Sequence, residues 1–282
     1  MWKKSIVASL GLLIVAAPAW AGVVFEVETT HHRGSSPQTE TTQAMVEGQN
    51  ITMGITASGN GERGDAIYRG DRREMIVVDH GEKSYFVMNK ATAQELGGQV
   101  SSAMQQMQEA LKNVPEDQRA LVEQMMKKQM GAMQQKAPKG PAAELKKTGR
   151  TAEKNGYPCV EYETWVGGKK THELWVTDWS NIEGSDEAAD AFLEMANFFE
   201  EIMDTLSDET GLGGLIDQAG IQNTFTQMRD LDGFPVVTRE FGDDGDLESE
   251  SFLRSARRQT IDPDAFEPPS GYKRQEMFSP SN

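Results

Sequence analysis

The side chains able to do chemistry are few and scattered. The sequence holds four histidines, His31, His32, His80 and His172, and a single cysteine, Cys159. A Ser–His–Asp relay needs a base held beside a nucleophile. No Gly-x-Ser-x-Gly elbow exists, and all four histidines fall at expected strand ends or turns, where a solvated imidazole is the ordinary case. His172-Glu173 runs on into Leu174-Trp175-Val176, so it lacks the second histidine of a zinc-binding His-Glu-x-x-His helix. One cysteine excludes a disulfide scaffold and a cysteine-based zinc or iron–sulfur site. Cys159 follows Pro158 among apolar neighbours and reads as a buried small hydrophobe. Gly59-Asn60-Gly61-Glu62-Arg63-Gly64 fits the GxGxxG spacing. That motif grips a pyrophosphate only when a helix N-terminus follows, and here Asp65–Arg69 reads as a strand, so the glycines read as a hairpin loop. The acidic loops at Asp230 and Asp232 and at Asp243, Asp244 and Asp246 lack the alternating ligands and terminal bidentate acid of a calcium loop. Turn chemistry explains them, and Glu200-Glu201 reads as a solvated helix face. No catalytic residue, resident metal or cofactor is expected, and an enzyme is the least supported class.

Two further patterns bear on binding. Six of the fifteen methionines fall between positions 104 and 133: Met104, Met107, Met125, Met126, Met130 and Met133. Thioethers bind Cu(I), so a copper-handling role is one reading. The other is a flexible apolar stripe, since methionine adapts to irregular surfaces and no histidine lies nearby in sequence. Trp165 and Trp175 are expected on one side of a hairpin with Glu161, Glu163 and Glu173. That makes them either a cross-strand pair under a helix or part of a ligand surface.

These side chains need a scaffold, and its compartment is written first. Residues 1–21 carry Lys3 and Lys4, an apolar stretch from Ser5 to Ala17, a helix-breaking Pro18 and the small residues Ala19 and Ala21. The apolar stretch is too short for a span of ~20 residues, and the flanks are those of a cleaved signal peptide. Cleavage is expected after Ala21, with a periplasmic mature chain that has no membrane span. No cysteine stands there to take a lipid. Loss of Lys3 and Lys4 takes the net charge from −16 to −18. Such an acidic chain repels nucleic acid and anionic membrane surfaces, which excludes both as main partners.

Past residue 21 the hydrophobic period alternates between two regimes. Gly22–Thr30, Ala44–Thr56 (one strand with a glycine break), Asp65–Arg69, Glu74–Asp79 and Ser84–Met88 read as strands joined by glycine-containing turns. Residues 91–135 then follow a helical period, with Leu96, Val100, Ala103, Met107 and Leu111 on one stripe. Pro115 restarts a second helix carrying Val122, Met126, Met130 and Met133. Tyr157–Val166 and His172–Trp179 form a hairpin. Ser185 opens a third helix with Ala188, Phe192, Met195, Phe199, Ile202 and Leu206 on its apolar face. A glycine-rich apolar stretch, Gly211–Gly220, reads as a connection and a candidate gate. Phe234–Phe241 and Leu247–Ala256 pair next, and the tail from Pro263 closes the fold. Helices inserted within a meander argue against parallel βαβ units. The expected fold is α+β: one large twisted antiparallel sheet, an incomplete barrel, with helices over its concave face, as a single domain over 22–282 with a helical insert at about 91–135.

Several segments resemble a known family. Thr148-Gly149, Gly156-Tyr157-Pro158-Cys159, Tyr162 and Glu173-Leu174-Trp175-Val176 are similar to a TG…GYxC…Y…W pattern, and Asp232-Gly233-Phe234-Pro235-Val236 resembles the strand start of the same proteins. Ala66–Arg73, Ile76–Asp79 and Tyr85–Val87 fit as well. The resemblance is to an uncharacterised Gram-negative periplasmic family within the LolA-like and LppX-like lipoprotein-carrier superfamily. It implies an incomplete barrel whose helices close a hydrophobic cavity, with no catalytic residues. The expected activity is non-enzymatic binding or carriage of a lipid or acyl chain between sheet and helices, with copper handling or a structural role in the envelope as alternatives. The residues expected to line the cavity are Phe25, Val27, Tyr85, Val87, Met107, Met126, Met130, Tyr162, Phe192 and Phe199.

Overall fold

The computed structural model describes residues 22–32, 36–56, 63–112, 143–210 and 229–276. The leader, the expected second helix with Met126 and Met130, and the Gly211–Gly220 stretch lie outside the described residues. The element order is β1 (Gly22–His31), β2 (Gln38–Glu47), β3 (Asn50–Thr56), β4 (Arg63–Arg69), β5 (Glu74–Asp79), β6 (Ser84–Met88), α1 (Lys90–Lys112), β7 (Glu144–Lys154), β8 (Tyr157–Val166), β9 (Lys169–Thr177), α2 (Ser185–Thr210), β10 (Phe234–Phe241), β11 (Leu247–Gln259) and β12 (Lys273–Arg274).

All twelve strands join one sheet in the order β12-β6-β5-β4-β3-β2-β1-β11-β10-β9-β8-β7. Two antiparallel meanders, β1–β6 and β7–β11, are zipped together where β1 pairs with β11 along its whole length, from Gly22↔Gln259 to His31↔Ser249. Among the described strands only β12 runs parallel to its neighbour, at Lys273↔Ser84 and Arg274↔Tyr85. The sheet keeps two edges and is not closed, so the fold is α+β with an open, mostly antiparallel sheet.

Two expectations change. Ala44–Thr56 is not one interrupted strand but the end of β2, a turn at Gly48-Gln49, and β3, with Val46 opposite Ile51. Gly48 sits at φ +58, a conformation glycine adopts without penalty. Strand β7 was not expected, because its sequence, ELKKTGRTAEK, has no alternating apolar residues. It lies at the sheet edge and is mostly exposed. An edge strand needs little apolar patterning, and lysines with a register break between Lys147 and Thr151 are devices that stop an edge from recruiting another strand.

Helix α2 covers one face of the sheet. Its buried positions Ala188, Ala191, Met195, Phe198 and Ile202 recur at three and four residues, a single stripe. They pack on Val23, Phe25, Val46, Ile51, Tyr68 and Met75 of the sheet. Asp186 and Glu187 occupy the first turn, where the helix dipole favours anions. Gly184 just before it has φ +75, and a Cβ there would stand 2.1 Å from Cγ2 of Val23, so only glycine lets the helix start against β1. Helix α1 begins at a reciprocal cap: Asn89 Oδ1 accepts from Thr92 N at 3.0 Å, and Thr92 Oγ1 accepts from Asn89 N at 2.8 Å. It packs on α2 and is tied to it by Lys90 Nζ and Glu201 Oε1 at 3.1 Å.

The opposite face has its own core. Val24, Ile67, Ile76, Val78 and Val87 form a second cluster, closed by Ile261 and Phe266 of the C-terminal segment, with Tyr85 packed at its side. Val24 and Phe25 are adjacent on β1 and must point to opposite faces. Tyr85 and Val87 therefore lie across the sheet from Phe25, which corrects their expected place on the same wall. Arg69, almost fully buried, fastens this closure: its Nη1 donates to Phe266 O at 3.1 Å, its Nε and Nη2 to Asp71 at 3.0 and 2.9 Å, and it also pairs with Glu267.

Candidate functional site

An apolar cavity of about 430 Å³ lies between the sheet and α2. Phe25 and Val27 of β1, Ala44 of β2 and Met53 of β3 form its sheet wall; Ala189, Phe192, Leu193, Met195 and Ala196 form its helix wall. Ala44 and Met53 are direct cross-strand partners, so both side chains point to the same face. Trp179, Leu231, Phe234 and Pro235 close the remaining side. The size falls within the range of ~300–1,000 Å³ typical of small-ligand sites.

Aromatic rings dominate one side of the cavity. Phe25 stacks on Phe234 with centroids 5.0 Å apart and meets Phe192 edge-on at 6.0 Å. Trp179 lies 5.3 Å from Phe234 and 6.3 Å from Phe192. Phe25 is buried, while Trp179, Phe192 and Phe234 keep part of their surface open. Leu193, 44% exposed, is the one large hydrophobe among the described residues that faces water, and it sits at the cavity rim. The charged lining groups are Asp190 and Arg229. Arg229 Nη1 donates to Glu200 Oε2 at 2.8 Å, and its Nε lies 3.7 Å from Asp230.

Of the ten residues expected to line a cavity, Phe25, Val27 and Phe192 do so. Tyr85 and Val87 belong to the opposite face. Phe199 is half-buried beside the main core, edge-on to Phe198 at 5.6 Å, and is not among the cavity walls. Tyr162 sits in a third cluster with Val176 and Leu231, and its hydroxyl donates to Asp232 at 3.1 Å. Lys147 on the same carboxylate, with that hydroxyl, holds Asp232 below the usual carboxylate range. The side chain of Met107 and all of Met126 and Met130 lie outside the described residues, as does the copper reading built on them.

The hairpin tryptophans do not form the expected pair. The strand register sets Trp175 opposite Glu161, and a break between Thr164 and Trp165 sets Trp165 opposite Lys170. Each indole donates instead to a glutamate at 3.1 Å, Trp175 to Glu173 and Trp165 to Glu163. Oxygen atoms of Glu161, Glu163 and Glu173 lie within 4.8 Å of one another, a spacing a cation could use. Protein cations already occupy it. Arg150 pairs with Glu161 and Glu163, Lys170 with Glu173 at 3.1 Å, and Arg239 with Glu173 at 2.9 Å. Burial pushes Glu173 up, but hydrogen bonds from Trp175, Lys170 and Arg239 outweigh it and hold the carboxyl below its ordinary value. This is a self-neutralised ion cluster, three carboxylates against three cations, that stitches β7–β10 together.

His31 is exposed, as expected, while His80 and His172 are less solvated than expected. His80 bridges Asp65 Oδ2 and Tyr272 Oη, each at 2.9 Å, and ties the β5 end to the C-terminal segment. It borders a polar recess of about 480 Å³ on the face opposite the apolar cavity. His172 is half-buried within β9, and burial pushes its pKa down.

No family model and no curated protein matches the chain. Among solved structures, it is similar to an uncharacterised conserved protein from Thermus thermophilus, at 7% identity and a TM-score of 0.40, over 89% of each chain. It is also similar to the MucA/MucB complex of Pseudomonas aeruginosa, at 8% identity and 0.26, over 88% of this chain and 56% of that one. A LolA-superfamily protein from Nitrosomonas europaea aligns at 10% identity and 0.24, over 87% and 88%.

Sequence reasoning missed Trp179, Met53 and Phe234 as cavity residues. Trp179 follows Asp178, whose carboxylate caps a 3-10 turn by accepting from Ser180 N at 2.8 Å. An aspartate-tryptophan pair leaving a strand was the available signal. Phe234 opens β10 directly after Gly233, and its side is set by pairing with Thr177.

Proposed function

We propose that this protein is a non-enzymatic binding or carrier protein of the cell envelope, holding an apolar ligand such as an acyl chain between its sheet and α2. The observation that carries the reading is the apolar cavity walled by Phe25, Val27, Met53, Phe192 and Phe234. Each CH₂ moved from water into such a space contributes ~0.8 kcal/mol, so a medium-length chain binds without dedicated polar recognition. The signal-peptide pattern of residues 1–21 and the resemblance of the 148–176 and 232–236 segments to lipoprotein-carrier relatives support the periplasmic setting. No helix among the described residues is long and apolar enough to cross a membrane. Titration of delipidated, folded protein with an environment-sensitive fatty-acyl probe tests the reading. Saturable binding near one probe per chain is expected. A flat titration leaves the helices as mere closures of the core.

A further inference from the structure

We infer that the apolar ligand carries an ammonium group, received at the cavity mouth by Asp190 and the open ring surfaces of Trp179, Phe192 and Phe234. This deepens the carrier reading and rests on it. Among the described residues the cavity has two charged groups on its walls, Asp190 and Arg229, and they are not equivalent. Arg229 is neutralised by Glu200 and Asp230. Asp190 has no cation within salt-bridge distance among the described residues. Along α2, Asp190 and Glu200 are ten residues apart, about 15 Å at 1.5 Å per residue. The neutralised arginine and the carboxylate without a cation among the described residues therefore mark different ends of the helix wall. Asp190 shares its end with Leu193, one turn on, which faces water at the rim.

The rings supply the second half of the argument. Trp179, Phe192 and Phe234 pack against one another at 5.3–6.3 Å yet stay partly open, and all three line the cavity that Asp190 borders. Aromatic faces attract ammonium groups, most strongly when a quaternary head has little hydration to lose. A carboxylate on the wall of the same cavity favours a cation further and repels a fatty-acid carboxylate. The tail then runs inward over Phe25, Val27 and Met53. The shared chemistry is an ammonium on an apolar chain, whether a free alkylammonium or a zwitterionic lipid head.

The test displaces a fluorescent acyl probe with decyltrimethylammonium, decanol and decanoate below their micelle concentrations at low ionic strength. The ammonium should bind about tenfold tighter than decanol, from the combined ring and carboxylate contributions, and decanoate should bind weakest. Asp190→Asn should shrink the ammonium preference over decanol severalfold while leaving decanol affinity and the melting temperature nearly unchanged. Trp179→Leu removes part of the cavity wall, so it should weaken decanol and the ammonium together, lower the melting temperature, and still shrink the ratio between the two ligands. Asp204→Asn, on an exposed residue further along α2, makes the same change in net charge and should leave the preference intact. Decylphosphocholine separates the sources: binding at the level of decyltrimethylammonium selects a zwitterionic lipid head, and much weaker binding selects a free alkylammonium. Equal affinity for the three heads, or a preference that survives Asp190→Asn and Trp179→Leu, overturns the head-group assignment while the cavity stands. Failure of decanol and both ions to compete removes the cavity reading and this inference with it.

Discussion

Phe25 and Phe234 stack with centroids 5.0 Å apart and planes 20° from parallel, joining the strand at the middle of the sheet to the strand that follows α2. The pair is at once core and cavity wall, which makes the stability of the fold and the shape of the site one problem. Phe25→Ala should destabilise the protein by about 3–5 kcal/mol in urea unfolding, the usual loss for a buried phenylalanine. Phe234→Ala should cost less because its ring is partly open. The double variant should lose less than the sum, by about 0.5–1.5 kcal/mol, if the rings act as a stacked pair.

Gly184 is a steric requirement. Gly184→Ala places a methyl 2.1 Å from Val23 Cγ2 at φ +75. A loss of about 1–3 kcal/mol is expected from overpacking alone. Adding Val23→Ala should not restore the loss, because the backbone strain remains and a core valine is gone. Full recovery in the double variant would place the whole cost in the clash.

The C-terminal closure is electrostatic as well as apolar. The Arg69 guanidinium holds Asp71 below the usual carboxylate range. Burial raises Glu267, but hydrogen bonds from Arg72 and Arg69 overcome it and leave that group lowered as well. Carboxylates lowered in the folded state stabilise it fully above their unfolded values, about 4, and lose that contribution as pH falls through the folded values. Acid unfolding followed between pH 5 and pH 2 should therefore weaken markedly in its pH dependence in Arg69→Met. The variant should also be less stable at pH 7, because Asp71 loses its main partner and Glu267 one of its two arginines.

His172 works in a different window. Burial lowers its pKa, with Glu240 opposing, so the unfolded chain takes up a proton before the folded one does. Stability is intact above the unfolded value of about 6.5 and declines as pH falls below it. His172→Gln should flatten stability between pH 7 and pH 5. An unchanged slope would show that the ring titrates as if in water.

The strands and helices of this fold were legible where periodicity was strong. The three- and four-residue spacing of Ala188, Phe192, Met195, Phe199 and Ile202 announces α2 and its apolar face, and the valine-rich Gly22–Thr30 announces β1. Strand β7 was not legible, because an edge strand carries lysines instead of an apolar alternation. Of the cavity wall, Phe25 and Val27, on the strand that α2 covers, and Phe192, on α2 itself, were legible. Tyr85 and Val87 were misplaced, since a strand buried on both sides gives no sign in its sequence of which face meets which layer. The true wall partners, Ala44 with Met53 and Trp179 with Phe234, are set by strand register and a capped turn, and register is fixed by pairing that sequence period alone does not specify.

The most direct test of the central claim fills the cavity without breaking the core. Ala189 lines the space from the helix side and is only half-buried, so Ala189→Trp can occupy it from a position that tolerates change. Probe titration of this variant, with its melting temperature measured alongside, decides the matter. The account predicts that acyl binding falls at least tenfold while folding is retained. Acyl binding at the wild-type level in folded Ala189→Trp would contradict it.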